Sequence, residues 1–416
     1  MFGRRRFLQS GLAFAGAAGS VGPDHRSMLA SPPSLNRPAV AREVLERIEA
    51  ARPSRGGLIP VDLPRRFGIA HVDPKYRFTT KPILVEGAER ILETPARAAK
   101  FWLIDLAGVY RINSDWRPLR GDADFVNRIK HPYFAAALAL PFEMVALEVG
   151  SAPGTRLFAP DEDYSRDEQE MYALTHHLLT TYADKPCTFI LQNWEGDWMV
   201  RGDDKDWVKR VPPTAQARLD SMAAWWRARQ RGVSRARKEA QPGGRCVVLH
   251  AAEVNRVADA WKRIPVATTH ALPQSPVDLV SWSCYDGIND PTTAWQCLEL
   301  LHEHARTEEG TPAPIMIGEI GRPETGQQEQ AVVDWWDQAL GVLFAWGVDS
   351  IFHWELFCNE PRDASRRNAD LGPNVRADEM RGFWWFRPDG TTSWGGEYLS
   401  RVLTRSGQRG LGEGSR

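Results

Sequence analysis

From Leu63 onward the chain alternates between short, near-continuous apolar runs and longer stretches in which apolar residues recur every three or four positions. The short runs predict strands at Phe67–Val72, Phe101–Leu106, Met144–Val149, Thr188–Gln192, Cys246–His250, Leu279–Ser283, Ile315–Gly318 and Ser350–Trp354. Apolar residues fill both faces of each, as in a strand buried on both sides. The longer stretches predict helices at Asp167–Tyr182, Thr214–Arg229, Thr293–His304 and Gln328–Trp346. In the last, Ala331, Val332, Trp335, Trp336, Ala339, Leu340, Leu343 and Phe344 form one apolar stripe, which assigns its tryptophans to packing. Strand and helix in repeated alternation mean an α/β fold with a parallel sheet. Eight such units close into a (β/α)8 TIM barrel, whose functional residues gather where the strands end at the C-terminal face.

Residues 59–410 make up this barrel, and residues 22–58, rich in Pro, Ser and Arg, read as a largely irregular linker with one helix near Val44–Ala51. Ahead of them, Arg4-Arg5-Arg6-Phe7-Leu8 followed by the weakly apolar Gly11–Ala18 makes residues 1–21 resemble a twin-arginine export signal. That implies a periplasmic or secreted protein, and the apolar run is too short to span a bilayer. The 416 residues are 43% hydrophobic and 25% charged, which excludes a disordered, collagenous or multi-span membrane chain. With 52 basic and 53 acidic side chains there is no electrostatic case for a nucleic-acid or anionic-membrane partner. Five cysteines without a close pair support neither a zinc ribbon nor a dense disulfide framework.

The residues just past the predicted strands carry the chemistry. Strand four runs into Gln192-Asn193-Trp194-Glu195-Gly196-Asp197-Trp198, and strand seven into Gly318-Glu319-Ile320-Gly321. Strand five ends at His250-Ala251-Ala252-Glu253, strand six at Ser283-Cys284-Tyr285-Asp286, and strand eight at His353-Trp354-Glu355. Two glutamates across a barrel mouth suit glycosidic cleavage: one protonates the departing oxygen while the other attacks the anomeric carbon. Their environments must differ, with apolar neighbours such as Trp194 and Trp198 favouring the protonated acid, and donors such as Tyr285 favouring the ionised nucleophile. The 17 tryptophans against 8 tyrosines fit a carbohydrate ligand, since indole faces stack on sugar rings. Trp194, Trp198, Trp207 and Trp354 are the indoles nearest the expected mouth.

On these residues, from about Phe67 to Leu403, the chain resembles the clan A glycoside hydrolases, a (β/α)8 group with retaining chemistry. The resemblance implies Glu195 as acid/base, Glu319 as nucleophile, Tyr285 as its orienting neighbour and Trp354 as the indole closing strand eight. Phe383-Trp384-Trp385-Phe386-Arg387-Pro388-Asp389-Gly390-Thr391-Thr392-Ser393 resembles the hairpin that precedes the last helix in such enzymes. Asn193, His250 and Arg111 join the substrate-binding candidates, Arg111 as a partner for the nucleophile carboxylate. The clan usually has Asn directly before its acid/base Glu, whereas Trp194 intervenes here, and Asp197 therefore competes with Glu195 for the acid role. No cofactor is implied. Two further classes stay open: a metal-dependent barrel hydrolase using His71, Asp73 and His250 as ligands, and a sugar-binding barrel without catalysis.

Overall fold

Eight parallel strands pair in chain order, and the eighth returns to the first, so the sheet closes into a barrel. They are β1 (Phe67–Ala70), β2 (Ala98–Trp102), β3 (Met144–Glu148), β4 (Thr188–Gln192), β5 (Val247–Val254), β6 (Leu279–Ser283), β7 (Ile315–Ile320) and β8 (Ile351–His353). This computed structural model describes residues 37–413 except 120–122, 203–206, 241–242, 368, 370 and 373. The export-signal reading and residues 22–36 of the linker therefore lie outside the described residues. β4 and β6 fall where the apolar pattern put them, whereas β2 starts and ends earlier than expected and β5 runs four residues past His250, to Val254.

Long helices cover the outside, among them Ser165–Thr181, Ala215–Glu239, Pro291–His304 and Glu329–Trp346. After β5 the covering helix shrinks to short turns, Val257–Lys262, Ala267–His270 and Leu272–Gln274. The helix Arg42–Ala51, inside the stretch read as linker, docks on Glu329–Trp346: Arg52 Nε and the Ser54 amide both reach the Asp337 carboxylate, at 2.7 and 2.8 Å. Packing thus begins ahead of Leu63. At the other end, the antiparallel Phe386–Thr392 bridge and the turn at Gly390, φ +85°, form the expected hairpin before the final helix Trp394–Glu413. All five cysteines are buried as free thiols. Among the described residues, no helix is long and apolar enough to cross a membrane.

Residues two apart on a strand share a face, and this parity sorts the barrel lumen from its outer wall. The lumen floor is apolar: Ala98, Ala146, Ile190, Ala251, Met316 and Phe352 pack into one cluster. Gly68 leaves room for the Phe352 ring, which would lie 2.3 Å from a methyl group there. Two residues further along the strands, the same lumen-facing positions hold Lys100, Glu148, Gln192 and Glu253. The barrel is thus closed by hydrocarbon below and by charge above.

Candidate active site

That charged layer is organised by Lys100, a fully buried lysine whose Nζ lies 2.7 Å from Glu148 Oε1, 3.3 Å from Glu253 Oε2 and 3.6 Å from Glu319 Oε1. It also donates to the Gly318 carbonyl at 3.0 Å. Burial alone would strip its proton, but the three carboxylates outweigh that and hold Lys100 above the ordinary lysine range. Burial pushes Glu148 up to about 7, against the pull of Lys100 and with the repulsion of Glu253 adding to it.

Glu319 reaches this layer through an irregularity. Between the register pairs Ser281–Met316 and Ser283–Glu319, β7 carries one more residue than β6, and it carries one more than β8 between Ile317–Ile351 and Ile320–His353. The extra residue is a bulge, which re-aims a side chain that strict alternation would send to the other face. Glu195 follows β4 with φ +27°, a value unusual for a residue with a side chain. Its amide is anchored to Glu253 Oε1 at 2.9 Å, at the point where the chain turns into the short helix Gly196–Arg201. The two glutamates then meet at one hydroxyl: Ser283 Oγ lies 2.9 Å from Glu195 Oε1 and 3.4 Å from Glu319 Oε2. Both carboxylates are buried to within 1% of full burial.

Asp197 is engaged elsewhere. Its Oδ2 accepts from the amides of Asn255 and Arg256 and its Oδ1 from that of Ala267, at 3.1, 3.1 and 2.8 Å. It holds the loop after β5. Asn193 is likewise structural: its Oδ1 accepts from Trp226 Nε1 and the Glu253 amide, while its Nδ2 donates to the Glu253 carbonyl. Its amide is spent on the protein, against the expectation that it serves a sugar hydroxyl.

His250 and Arg111 are corrected as substrate contacts. Because β5 continues to Val254 with Ala251 and Glu253 inward, His250 faces the outer helix, with Nδ1 3.1 Å from Gln230 Oε1 and Nε2 3.4 Å from Arg229 Nε. Arg111 pairs with Asp73 at 2.6 Å and donates to the Gly108 carbonyl, so Lys100 takes the place expected of it beside Glu319. The metal-ligand reading fails on the same geometry. His71 turns to the Ile83 carbonyl at 2.9 Å, in a space that Gly87 leaves by having no side chain, and Asp73 is bound to Lys75 and Arg111. Glu148, Glu253 and Glu319 do offer oxygens within 4.8 Å of one another, but Lys100 puts an ammonium among them where a cation would sit.

Trp354, at the end of β8, is buried edge-on to Trp102 with 5.7 Å between centroids. Tyr285 is half-buried on the turn Cys284–Asp286, next in chain to the residues beside Glu319, and packs edge-on to Phe383. Trp194 and Trp198 are half-buried at the end of β4, and Trp198 has the guanidinium groups of Arg201 and Arg256 at 5.4 and 5.3 Å from its ring. Trp207 is buried core. Trp336 is core as the helical stripe implied, whereas Trp335 is half-buried and its indole donates to Asn289.

Sequence reasoning gave no role to Lys100, Glu148 and Ser283, and it left Glu253, noted at the end of strand five, between a structural and a substrate-binding role. The available signal was a charge inside an otherwise apolar run: Lys100 in Ala98–Trp102, Glu148 ending Met144–Glu148 and Glu253 next to last in Val247–Val254.

No family model matches the chain, and no curated protein matches it. Solved structures do. One is the exo-beta-1,4-mannosidase Op5Man5 from Opitutaceae bacterium strain TAV5, with a TM-score of 0.52 at 15% identity over 85% of this chain. The match spans only 60% of that mannosidase's length. Another is GH5_18 from Streptomyces cattleya, solved in complex with GlcNAc, with a TM-score of 0.51 at 16% identity over 82% of this chain and 80% of the other. At such identities the likeness establishes the (β/α)8 fold, in agreement with the clan resemblance, and assigns no family.

Proposed function

We propose that this protein is a glycoside hydrolase that cleaves an oligo- or polysaccharide with retention of anomeric configuration. Glu319 attacks the anomeric carbon and the glycosidic bond breaks as Glu195 gives its proton to the leaving oxygen. Glu195 then takes a proton from water, whose oxygen displaces Glu319 from the glycosyl-enzyme. The observation that carries this reading is the shared contact of Glu195 and Glu319 with Ser283 Oγ. It supports the close carboxylate spacing, about 5–5.5 Å, that direct attack needs, over the about 6.5–9.5 Å that leaves room for an attacking water. The ammonium of Lys100 beside Glu319 supports the division of labour, since a fixed positive charge stabilises the ionised nucleophile. The resemblance of residues 1–21 to a twin-arginine export signal supports a periplasmic or secreted location for this activity.

The test is turnover of aryl β-glycosides and of a panel of plant, algal and bacterial glycans. The two similar structures make β-mannosides and N-acetyl-β-glucosaminides the first probes. Glu195→Gln and Glu319→Gln each remove activity under this reading, by a factor of about 10²–10⁴ for the acid/base. A folded Glu319→Gln variant that turns over at the wild-type rate rules it out, and is the outcome a sugar-binding barrel predicts for any activity it has.

A further inference from the structure

Both candidate glutamates have a glycine as chain neighbour, and in both cases the space where a side chain would stand is filled by the same third residue. A methyl group on Gly196, next to Glu195, would lie 2.6 Å from the Glu253 carbonyl. A methyl group on Gly318, next to Glu319, would lie 2.3 Å from Glu253 Oε2 and 1.9 Å from Ser281 Oγ. Glu253 is fully buried and stands between the two catalytic segments.

Its hydrogen bonds run to both. Oε1 accepts the Glu195 amide at 2.9 Å. Oε2 accepts from Gln192 Nε2 at 2.7 Å, from Ser281 Oγ at 2.8 Å and from Lys100 Nζ at 3.3 Å, and the same ammonium faces Glu319. The backbone of Glu253 is itself clamped. The β4–β5 ladder ends at Gln192–Ala251, and beyond it the Asn193 amide bonds both the N–H and the carbonyl of Glu253, extending the pairing by a side chain.

Resting on the two-glutamate reading, we propose that Glu253 is a positioning residue that sets Glu195 and Glu319 in register. One oxygen fixes the backbone from which the acid projects, and the other fixes the cation that faces the nucleophile. The chemistry of the site demands a carboxylate for this. All four groups facing it are donors, and an ionised carboxylate accepts at both oxygens, whereas an amide has one accepting oxygen and would turn its own N–H groups on the remaining donors. Whichever way a glutamine is rotated, it releases either the Glu195 amide or the Lys100 side.

The experiment compares Glu253→Gln with wild type on phenyl and 2,4-dinitrophenyl β-D-mannosides and β-D-glucosides, with folding checked by circular dichroism. A dinitrophenolate leaves without a proton from the acid, so a displaced Glu195 harms the phenyl substrate more. The expected result is a fall in kcat of about 100-fold on the phenyl glycoside, the scale set by roughly 1 Å of misplacement. KM stays within about threefold, and the fall on the dinitrophenyl glycoside is about tenfold smaller, because uniform binding is untouched and the acid is the group displaced. Should Glu253→Gln fail to fold, Glu253→Asp retains the charge, withdraws it by one methylene, and must show the same split. A folded variant with kcat within threefold of wild type, or one changed in KM alone, overturns the proposal. If Glu319→Gln abolishes turnover and Glu253→Gln does not, the proposal alone falls. If turnover survives Glu319→Gln, the two-glutamate reading falls and takes the proposal with it.

Discussion

Replacing Lys100 by Met removes the ammonium that faces Glu148, Glu253 and Glu319 at 2.7, 3.3 and 3.6 Å, while keeping a flexible chain of similar bulk in the lumen. Deleting one partner of a buried ion cluster costs about 3–5 kcal/mol, because the charges left behind are neither solvated nor paired. The loss depends on pH in a defined direction. Lys100 is held above its ordinary range and stays charged from pH 4 to 8, so the group that carries the pH dependence is Glu148. Glu148 already sits at about 7, pushed up first by burial, and Lys100 is the main influence holding it down. Without Lys100 it moves higher still. A carboxyl raised on folding contributes stability below its unfolded pKa, about 4.5, and loses that contribution as pH rises through the folded value. The variant is therefore expected to lie closer to wild type near pH 4.5, where Glu148 is protonated, and to fall about 3–5 kcal/mol behind at pH 8. The buried imidazoles of His71 and His353, lowered by burial to about 4 and about 3, are common to both proteins and cancel in the comparison. Urea unfolding followed by far-ultraviolet circular dichroism at pH 4.5, 6 and 8 measures it. An equal loss at every pH would mean a packing defect, and no loss at pH 8 would mean that the charge cluster contributes nothing; either refutes the electrostatic reasoning.

Three other outcomes follow from the same geometry. Glu148→Gln removes a carboxyl whose ionisation is disfavoured in the fold, so its stability should rise relative to wild type between about pH 4.5 and 7, by on the order of 2–3 kcal/mol, as measured by unfolding midpoints across that range. Asp197→Asn puts an amide N–H₂ against backbone donors and should cost about 1–3 kcal/mol in thermal unfolding while the folded enzyme keeps its kcat; a kcat loss equal to that of Glu195→Gln would return Asp197 to the acid role. His250→Leu should lower the melting temperature and leave KM unchanged, since the imidazole binds Gln230 and Arg229 on the outer wall, and a raised KM would put it back at the mouth.

The barrel was legible because its strands are buried on both faces and its helices on one, so period and run length alone separate them. Thr188–Gln192 and Leu279–Ser283 form strands with those boundaries, and Glu195 and Glu319 stand past the ends of β4 and within the end of β7. The charged layer was illegible for the same reason that the strands were legible. Leu103, Ile104 and Leu106 make the region after Phe101 look like the middle of a strand, while Lys100 looks like an interruption, so β2 was placed late and its lysine left out. The end assigned at His250 left Glu253 beyond the strand with its role open, and it put His250 at a mouth that parity denies it. Arg111 was the cation found after the second predicted strand, and only the fold shows Asp73 occupying it. Side chains paired across the lumen, such as Lys100 with Glu253, are far apart in the chain, and no local period encodes their meeting.

Incubation with 2-deoxy-2-fluoro-β-glycosyl fluorides of mannose and glucose, followed by peptide mass spectrometry, tests the two-glutamate mechanism most directly, because the fluorine slows release of a covalent intermediate formed by the nucleophile. One fluoroglycosyl group on the peptide containing Glu319, with inactivation in step, is the expected result. A label on Glu195 or any other residue, or turnover of a natural glycoside that first releases the inverted anomer, contradicts it.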